Sequence, residues 1–145
     1  SVMVASVLLA VDVEDPASLA KPLAMARRLF QSDQVALHVL YVLPPFEMSI
    51  VGSFFPEDYE AKALETAKAR LAELAAAADL TGLARPELHV AHGVVYEELL
   101  AAADSLAVDM IIVGAHRPQL KDYLLGPTAA RVARHAKQSV LVLRD

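Results

Sequence analysis

A glycine, a basic loop and a second glycine lie near the end of the chain in an arrangement suited to phosphate binding. Gly114 follows an apolar run, and Gly126, Pro127 and Thr128 open a predicted helix. Gly114 lets a ligand approach the backbone closely, because glycine has no Cβ atom. A helix N-terminus offers an anion free N–H groups and a favourable dipole. Thr128 adds a hydroxyl, and the loop between the glycines adds His116, Arg117 and Lys121.

The standard nucleotide motifs are absent, so the phosphate interpretation depends on these residues alone. The chain has 5 glycines, and they form neither G-x-x-x-x-G-K-[ST] nor G-x-G-x-x-G. The G-x-S-x-G elbow of α/β-hydrolases is absent as well. Glycines are also common turn residues, and a purely structural role for Gly114 and Gly126 stays open.

Asp12, which follows the first apolar run, is the other candidate for ligand contact. The alternative is that its side chain caps the following loop, a common role of Asp. Around the basic loop, Asp12 and Asp122 are the carboxylates available for Mg²⁺, too few for efficient phosphoryl transfer. His89 and His92 share a predicted strand, but a spacing of three puts them on opposite faces. We therefore expect neither catalytic residues nor a metal site.

Apolar runs alternate with helical patterns along the whole chain. Continuous apolar runs are typical of strands buried on both faces, and they occur at 4–11, 35–43, 88–91, 110–113 and 140–143. Apolar residues at helical spacing predict helices at 17–30, 57–80, 96–106 and within 126–135. The alternation predicts an α/β fold with a five-stranded open parallel sheet and helices on both faces. The apolar segment 46–56 fits neither pattern.

Length and charge narrow the class of protein further. A chain of 145 residues predicts one domain spanning 1–145. The net charge of −5 argues against nucleic-acid binding, and the absence of cysteine excludes disulfides and thiolate metal sites. The basic residues concentrate in 114–145, where they would attract a small anion or follow the C-terminal ends of helices. We expect no signal peptide, because no Lys or Arg precedes the first apolar run, and no membrane-spanning segment.

Taken together, these segments resemble the universal stress protein family over essentially the full length. The resemblance rests on VLLAVD ending at Asp12, on LHVLYVLPP at 37–45, and on the segments 92–117 and 125–145. It implies a Rossmann-like, adenine nucleotide alpha hydrolase-like fold and a small cytoplasmic regulatory module of the stress response. It further implies ATP or AMP as ligand, with Mg²⁺ accompanying ATP. The residues implied to surround the nucleotide are Ala10, Asp12 and Val42 near the base and ribose, Gly114 near the ribose and phosphates, and Gly126, Pro127 and Thr128 around the phosphates.

The glycine motif of the family's nucleotide-binding members is incomplete in this sequence. That motif has a glycine, two residues, a glycine, nine residues, and then a glycine with Ser or Thr. Arg117 stands where the second glycine belongs, or the loop has lost one residue, and Pro127 replaces the Ser or Thr. We therefore expect a degenerate site that binds nucleotide weakly and depends on Arg117 and Lys121 for phosphate contacts. A nucleotide-independent, dimeric interaction module of the same family is the alternative, and a slow ATPase is a third interpretation.

The last strand predicts a homodimer. The run 140–143 is apolar on both faces and has no helix after it, so as a sheet edge it would pair with a second chain. The resemblance implies the same contact, because family members commonly dimerise through this strand. The segment 46–56 would either add contact area or fold back on its own core. We expect neither nucleic acid nor a membrane as partner.

Overall fold

The computed structural model describes residues 4–30, 34–43, 59–115 and 126–144, in which strands and helices alternate as predicted. The strands are β1 (Ser6–Val11), β2 (Ala36–Leu43), β3 (Glu87–His92), β4 (Met110–Gly114) and β5 (Ser139–Leu143). The helices are α1 (Ala17–Phe30), α2 (Tyr59–Ala76), α3 (Val95–Ser105) and α4 (Pro127–His135). The segment 46–56 lies outside the described residues. None of the helices in the described ranges is long and apolar enough to cross a membrane.

The five strands form one parallel sheet in the order β3-β2-β1-β4-β5, which confirms the predicted fold class. β1 lies at the centre and pairs with β2 from Ser6↔Ala36 to Val11↔Tyr41. On its other side β1 pairs with β4. After β3 the chain crosses back to the other side of β1, so the strand order switches direction at the neighbouring strands β1 and β4. In open parallel sheets, such a reversal leaves a crevice at the carboxyl ends of the strands, where ligands bind.

Helices cover both faces of the sheet, and β1 contributes to the core on each side. Val7 and Leu9 pack with residues of α1 and α2. Leu8 points the other way and packs with residues of α3 and α4. All three side chains are fully buried. The central apolar residues of β1, Val7 to Leu9, are therefore explained by its position in the sheet, because their side chains alternate between the two helix layers.

Two predictions about the elements at the sheet periphery are wrong. α2 ends at Ala76 rather than at residue 80, because the chain after it is held by α1: Arg27 donates hydrogen bonds to the carbonyl oxygens of Asp79 (2.6 Å) and Thr81 (2.8 Å). β3 is only partly buried, with Glu87 and His92 exposed at its ends. The predicted strand at 88–91 is present, but β3 is an outer strand of the described sheet, so burial on both faces holds for the central strands and not for β3 or β5.

The turn from β3 into α3 requires glycine. Gly93 has φ +140°, and a Cβ atom at this position would lie 2.7 Å from Glu98 Oε1. The Gly93 N–H donates to the Leu43 carbonyl oxygen (2.9 Å), which ties the turn to the end of β2. This turn leads the chain from β3 into α3, which packs on one face of the sheet.

Candidate functional site

A cleft of about 340 Å³ opens at the carboxyl ends of β1 and β2. Its volume lies within the ~300–1,000 Å³ typical of small-molecule pockets. It brings together four of the residues singled out in the sequence, namely Ala10, Asp12, Val42 and Thr128. The remaining wall comes from Val11, Glu14, Leu40, Tyr41, Val95 and Leu99. Residues from two strands and from the starts of two helices thus converge on one apolar space with a polar rim.

Asp12 caps the loop after β1 and also borders this cleft. Its Oδ1 atom accepts a hydrogen bond from the Glu14 N–H (3.0 Å), while its own N–H donates to Ser18 Oγ (2.8 Å). The capping role considered as the alternative is therefore present. The side chain is exposed, and a carboxylate has a second oxygen that can accept from a ligand. Capping fixes the position of the carboxylate at the mouth of the cleft.

The start of α4 is joined to the end of β4. The Gly126 N–H donates to the Ala115 carbonyl oxygen (3.2 Å), and the Ala130 N–H donates to the Gly126 carbonyl oxygen (3.0 Å). Pro127 occupies the first turn and has no N–H. By helix geometry, this leaves the amides of Thr128 and Ala129 as the donors that α4 itself does not use. An anion at this helix start would meet two backbone donors rather than three.

Gly114 lies on the other side of Ala10, in a second cleft of about 340 Å³. Ala10 borders both clefts. The rest of this second cleft is formed by Asp15, Ala17, Ser18, Lys21, Pro22 and Leu143. A Cβ atom at Gly114 would meet no atom within 4 Å, and its φ is not positive. Local packing therefore does not demand glycine at this position.

The loop side chains singled out in the sequence, His116, Arg117 and Lys121, lie outside the described residues. On α4, the exposed basic residues are Arg131, Arg134 and His135. The Arg131 guanidinium carbon lies 4.9 Å from the centroid of the Tyr96 ring. This cation–π contact joins α4 to α3 beside the cleft that both helices line.

Two histidines, His38 and His89, form a pair that the sequence did not indicate. His38 Nδ1 lies 3.0 Å from His89 Nε2, across neighbouring strands. His92 instead contacts Glu60 through its Nε2 atom (3.0 Å). The opposite orientation of His89 and His92 matches their spacing. The missed partner, His38, could have been found only from the register between β2 and β3.

Comparison with known proteins gives one consistent family. The model of the universal stress protein family matches residues 3–144. Universal stress protein G of Shigella flexneri is 30% identical over 144 residues, which are 98% of this chain and 100% of that protein.

Solved structures share the fold over nearly the whole chain. The structure of MJ0577, used for a structure-based assignment of biochemical function, superposes with a TM-score of 0.76 at 25% identity over 99% of this chain and 98% of that chain. A universal stress protein in complex with cAMP superposes with a TM-score of 0.59 at 20% identity over 97% of each chain.

Proposed function

The chain belongs to the universal stress protein family, and on that premise we propose that it is a cytoplasmic regulatory module of the stress response that binds ATP or AMP weakly. The observation that carries this proposal is the cleft shared by Asp12, Val42 and Thr128 at the carboxyl ends of β1 and β2. A relative of the same fold in complex with cAMP supports an adenine nucleotide as the ligand class.

We propose that the two halves of a nucleotide contact different parts of the cleft. Val11, Val42 and Val95 are apolar residues of its wall that would contact the flat face of a purine. The Asp12 carboxylate at the rim would accept hydrogen bonds from ribose hydroxyls. The amides at the start of α4 and the Thr128 hydroxyl would contact the phosphates, because helix N-termini favour anions.

We expect the nucleotide to bind weakly, because the end of the cleft that would hold the phosphates departs from the family pattern. Pro127 removes one backbone donor, and the second glycine of the family pattern is missing, either because Arg117 replaces it or because the loop has lost a residue. Each lost charge-assisted hydrogen bond costs ~1.5–3 kcal/mol, which is roughly ten- to a hundredfold in affinity. We propose that Arg117 and Lys121 restore part of this by pairing directly with phosphate oxygens.

Mg²⁺ would be held by few protein groups. Asp12 and Glu14 are the carboxylates that line the cleft, and Glu14 forms an ion pair with Arg70. Asp12, which also accepts the hydrogen bond from the Glu14 N–H, would together with the nucleotide phosphates hold a Mg²⁺ ion that arrives with ATP. Such a site would stabilise little of the charge that develops in phosphoryl transfer, so we propose slow hydrolysis at most.

Removal of either loop cation should weaken nucleotide binding in a salt-dependent way. We expect Arg117→Ala and Lys121→Ala each to lower ATP affinity by roughly tenfold at low salt and by less at high salt, because salt screens exposed charges. AMP affinity should change less, since AMP carries fewer phosphate charges. Calorimetric titration of both nucleotides at two salt concentrations measures these effects.

The matched control is Arg134→Ala, which removes an exposed positive charge from α4. Its ATP affinity should equal that of the wild type. Submicromolar affinity unaffected by the loop substitutions would show that the backbone alone holds the phosphates. Absence of binding at millimolar nucleotide would favour the nucleotide-independent interaction module.

We also propose a homodimer formed through β5. β5 is an outer strand of the described sheet. Its residues Val140 to Leu143 remain partly exposed in the single chain, although all four are apolar. Outer strands of this kind present unpaired backbone groups and apolar side chains to a second strand. A homodimer is compatible with the nucleotide-binding function and also with the alternative, a nucleotide-independent interaction module.

A further inference from the structure

Three side chains capable of binding a transition metal meet on neighbouring strands β2 and β3. His38 Nδ1 lies 3.0 Å from His89 Nε2 and 3.5 Å from Glu87 Oε2. Candidate ligand atoms of all three residues lie within 4.8 Å of one another. We propose that His38, His89 and Glu87 form a binding site for a divalent late transition-metal ion such as Zn²⁺.

The strand register builds this cluster. Parallel pairing places His38 beside Glu87 and Leu40 beside His89. Because side chains alternate along a strand, His38 and Leu40 share one face of the sheet, and Glu87 and His89 share the same face on the next strand. Leu40 packs with Leu99 of α3, so this is the face that α3 covers. The two imidazoles are thus diagonal neighbours on rigid elements.

The distances suit tetrahedral coordination. Two nitrogen ligands at about 2.0–2.1 Å from a tetrahedral Zn²⁺ ion are separated by about 3.3 Å. The observed separations of 3.0 Å and 3.5 Å lie on either side of that value. Small side-chain rotations would therefore admit the ion. Without metal, one imidazole donates its N–H to the other; coordination of both nitrogens requires that hydrogen to move to the other nitrogen of its own ring.

The burial of His38 and the negative charge of Glu87 also favour a metal site. The His38 side chain is 12% exposed, whereas that of Glu87 is 68% exposed. Burial holds the pKa of His89 below its ordinary value, the Glu87 carboxylate acts in the opposite direction, and His38 acts in the same direction as burial. Glu87 would close the site from the solvent side and supply negative charge. Three protein ligands leave the fourth position to water.

The donor set selects the class of metal. Two imidazole nitrogens with one carboxylate suit Zn²⁺, Ni²⁺ or Cu²⁺, while Mg²⁺ and Ca²⁺ prefer oxygen ligands. None of the three residues lines the cleft assigned to nucleotide, although Leu40 does. The metal proposal therefore stands or fails independently of the nucleotide proposal.

Titration of tag-free protein, stripped of metal with a chelator, tests the site. We expect calorimetry to show one Zn²⁺ per chain, a higher Tm with Zn²⁺ and no change with Mg²⁺. Co²⁺ should give the intense visible absorption of tetrahedral coordination. His38→Gln and His89→Gln should each lower Zn²⁺ affinity by at least about tenfold. His92→Gln is the matched control, because it removes an exposed histidine from the same strand, and its affinity should be unchanged.

Glu87→Gln tests the site even if the two histidine variants fail to fold. Its side chain is mostly exposed, so the variant should keep the fold while it loses affinity for Zn²⁺ severalfold. The proposal is overturned if the wild type binds no Zn²⁺ at millimolar concentration. It is also overturned if His92→Gln loses affinity as much as the histidine pair variants, or if folded Glu87→Gln and His38→Gln bind Zn²⁺ like the wild type.

Discussion

Replacement of Asp12 by alanine is expected to lower ATP affinity by roughly 10- to 100-fold, because the rim of the cleft would lose an acceptor for the ribose hydroxyls. The substitution also removes the acceptor for the Glu14 N–H, which shapes the loop after β1. Calorimetric titration of ATP gives the affinity, and urea unfolding gives the accompanying change in the free energy of unfolding.

Asp12→Asn separates the two roles of this side chain. The asparagine amide oxygen can still accept from the Glu14 N–H, so the loop should keep its shape. The negative charge and one acceptor oxygen are lost. We expect ATP affinity between those of the wild type and Asp12→Ala. If Asp12→Asn binds ATP like the wild type while Asp12→Ala does not, the residue acts only by capping the loop.

Val142→Lys is expected to convert the proposed dimer into a monomer at tens of micromolar protein. Val142 is partly exposed on β5 and also packs beside the core formed with α3 and α4, so a lysine would place a charge in apolar surroundings at the proposed interface. At a cost of about 3 kcal/mol, the dissociation constant of the dimer would rise by about a hundredfold. Sedimentation equilibrium measures this constant, and circular dichroism verifies that the monomer stays folded.

Val94→Lys is the matched control for dimerisation. Val94 is an exposed valine in the turn before α3, and the strand that precedes it, β3, lies at the opposite end of the strand order from β5. This variant introduces the same charge and should remain dimeric. A wild type that sediments as a monomer, or a dimer that survives Val142→Lys, would refute assembly through β5.

Strong local patterns predicted most of the fold. The bounds of α1 agree with those read from apolar spacing, because Leu19, Leu23 and Ala26 form its buried stripe. The end of α2 could not be read from the sequence, since the alanines around Ala76 favour further helix. The carbonyl contacts of Arg27 with Asp79 and Thr81 are long-range, and no pattern within α2 indicates them.

The candidate site was predictable where it depends on the ends of strands. Asp12 follows one buried run and Val42 lies one residue before the end of another, and parallel strands bring such positions to the same end of the sheet. Asp12 and Gly114 line two different clefts that share Ala10. This arrangement was not predictable, because it depends on the order of the strands and on which face each side chain takes. The pairing of His38 with His89 was missed for the same reason, since it requires the register of β2 against β3.

The most direct test of the nucleotide site is the position of amide chemical-shift changes when ATP is added to ¹⁵N-labelled protein. The proposed site predicts progressive, fast-exchange shifts at Ala10, Asp12, Val42 and Thr128, with the amides of Glu87 and Leu88 on β3 unmoved. Fast exchange is expected because binding is weak and dissociation is therefore rapid. Unmoved amides around the cleft at several millimolar ATP, or shifts confined to another part of the sheet, would contradict a nucleotide site at the carboxyl ends of β1 and β2.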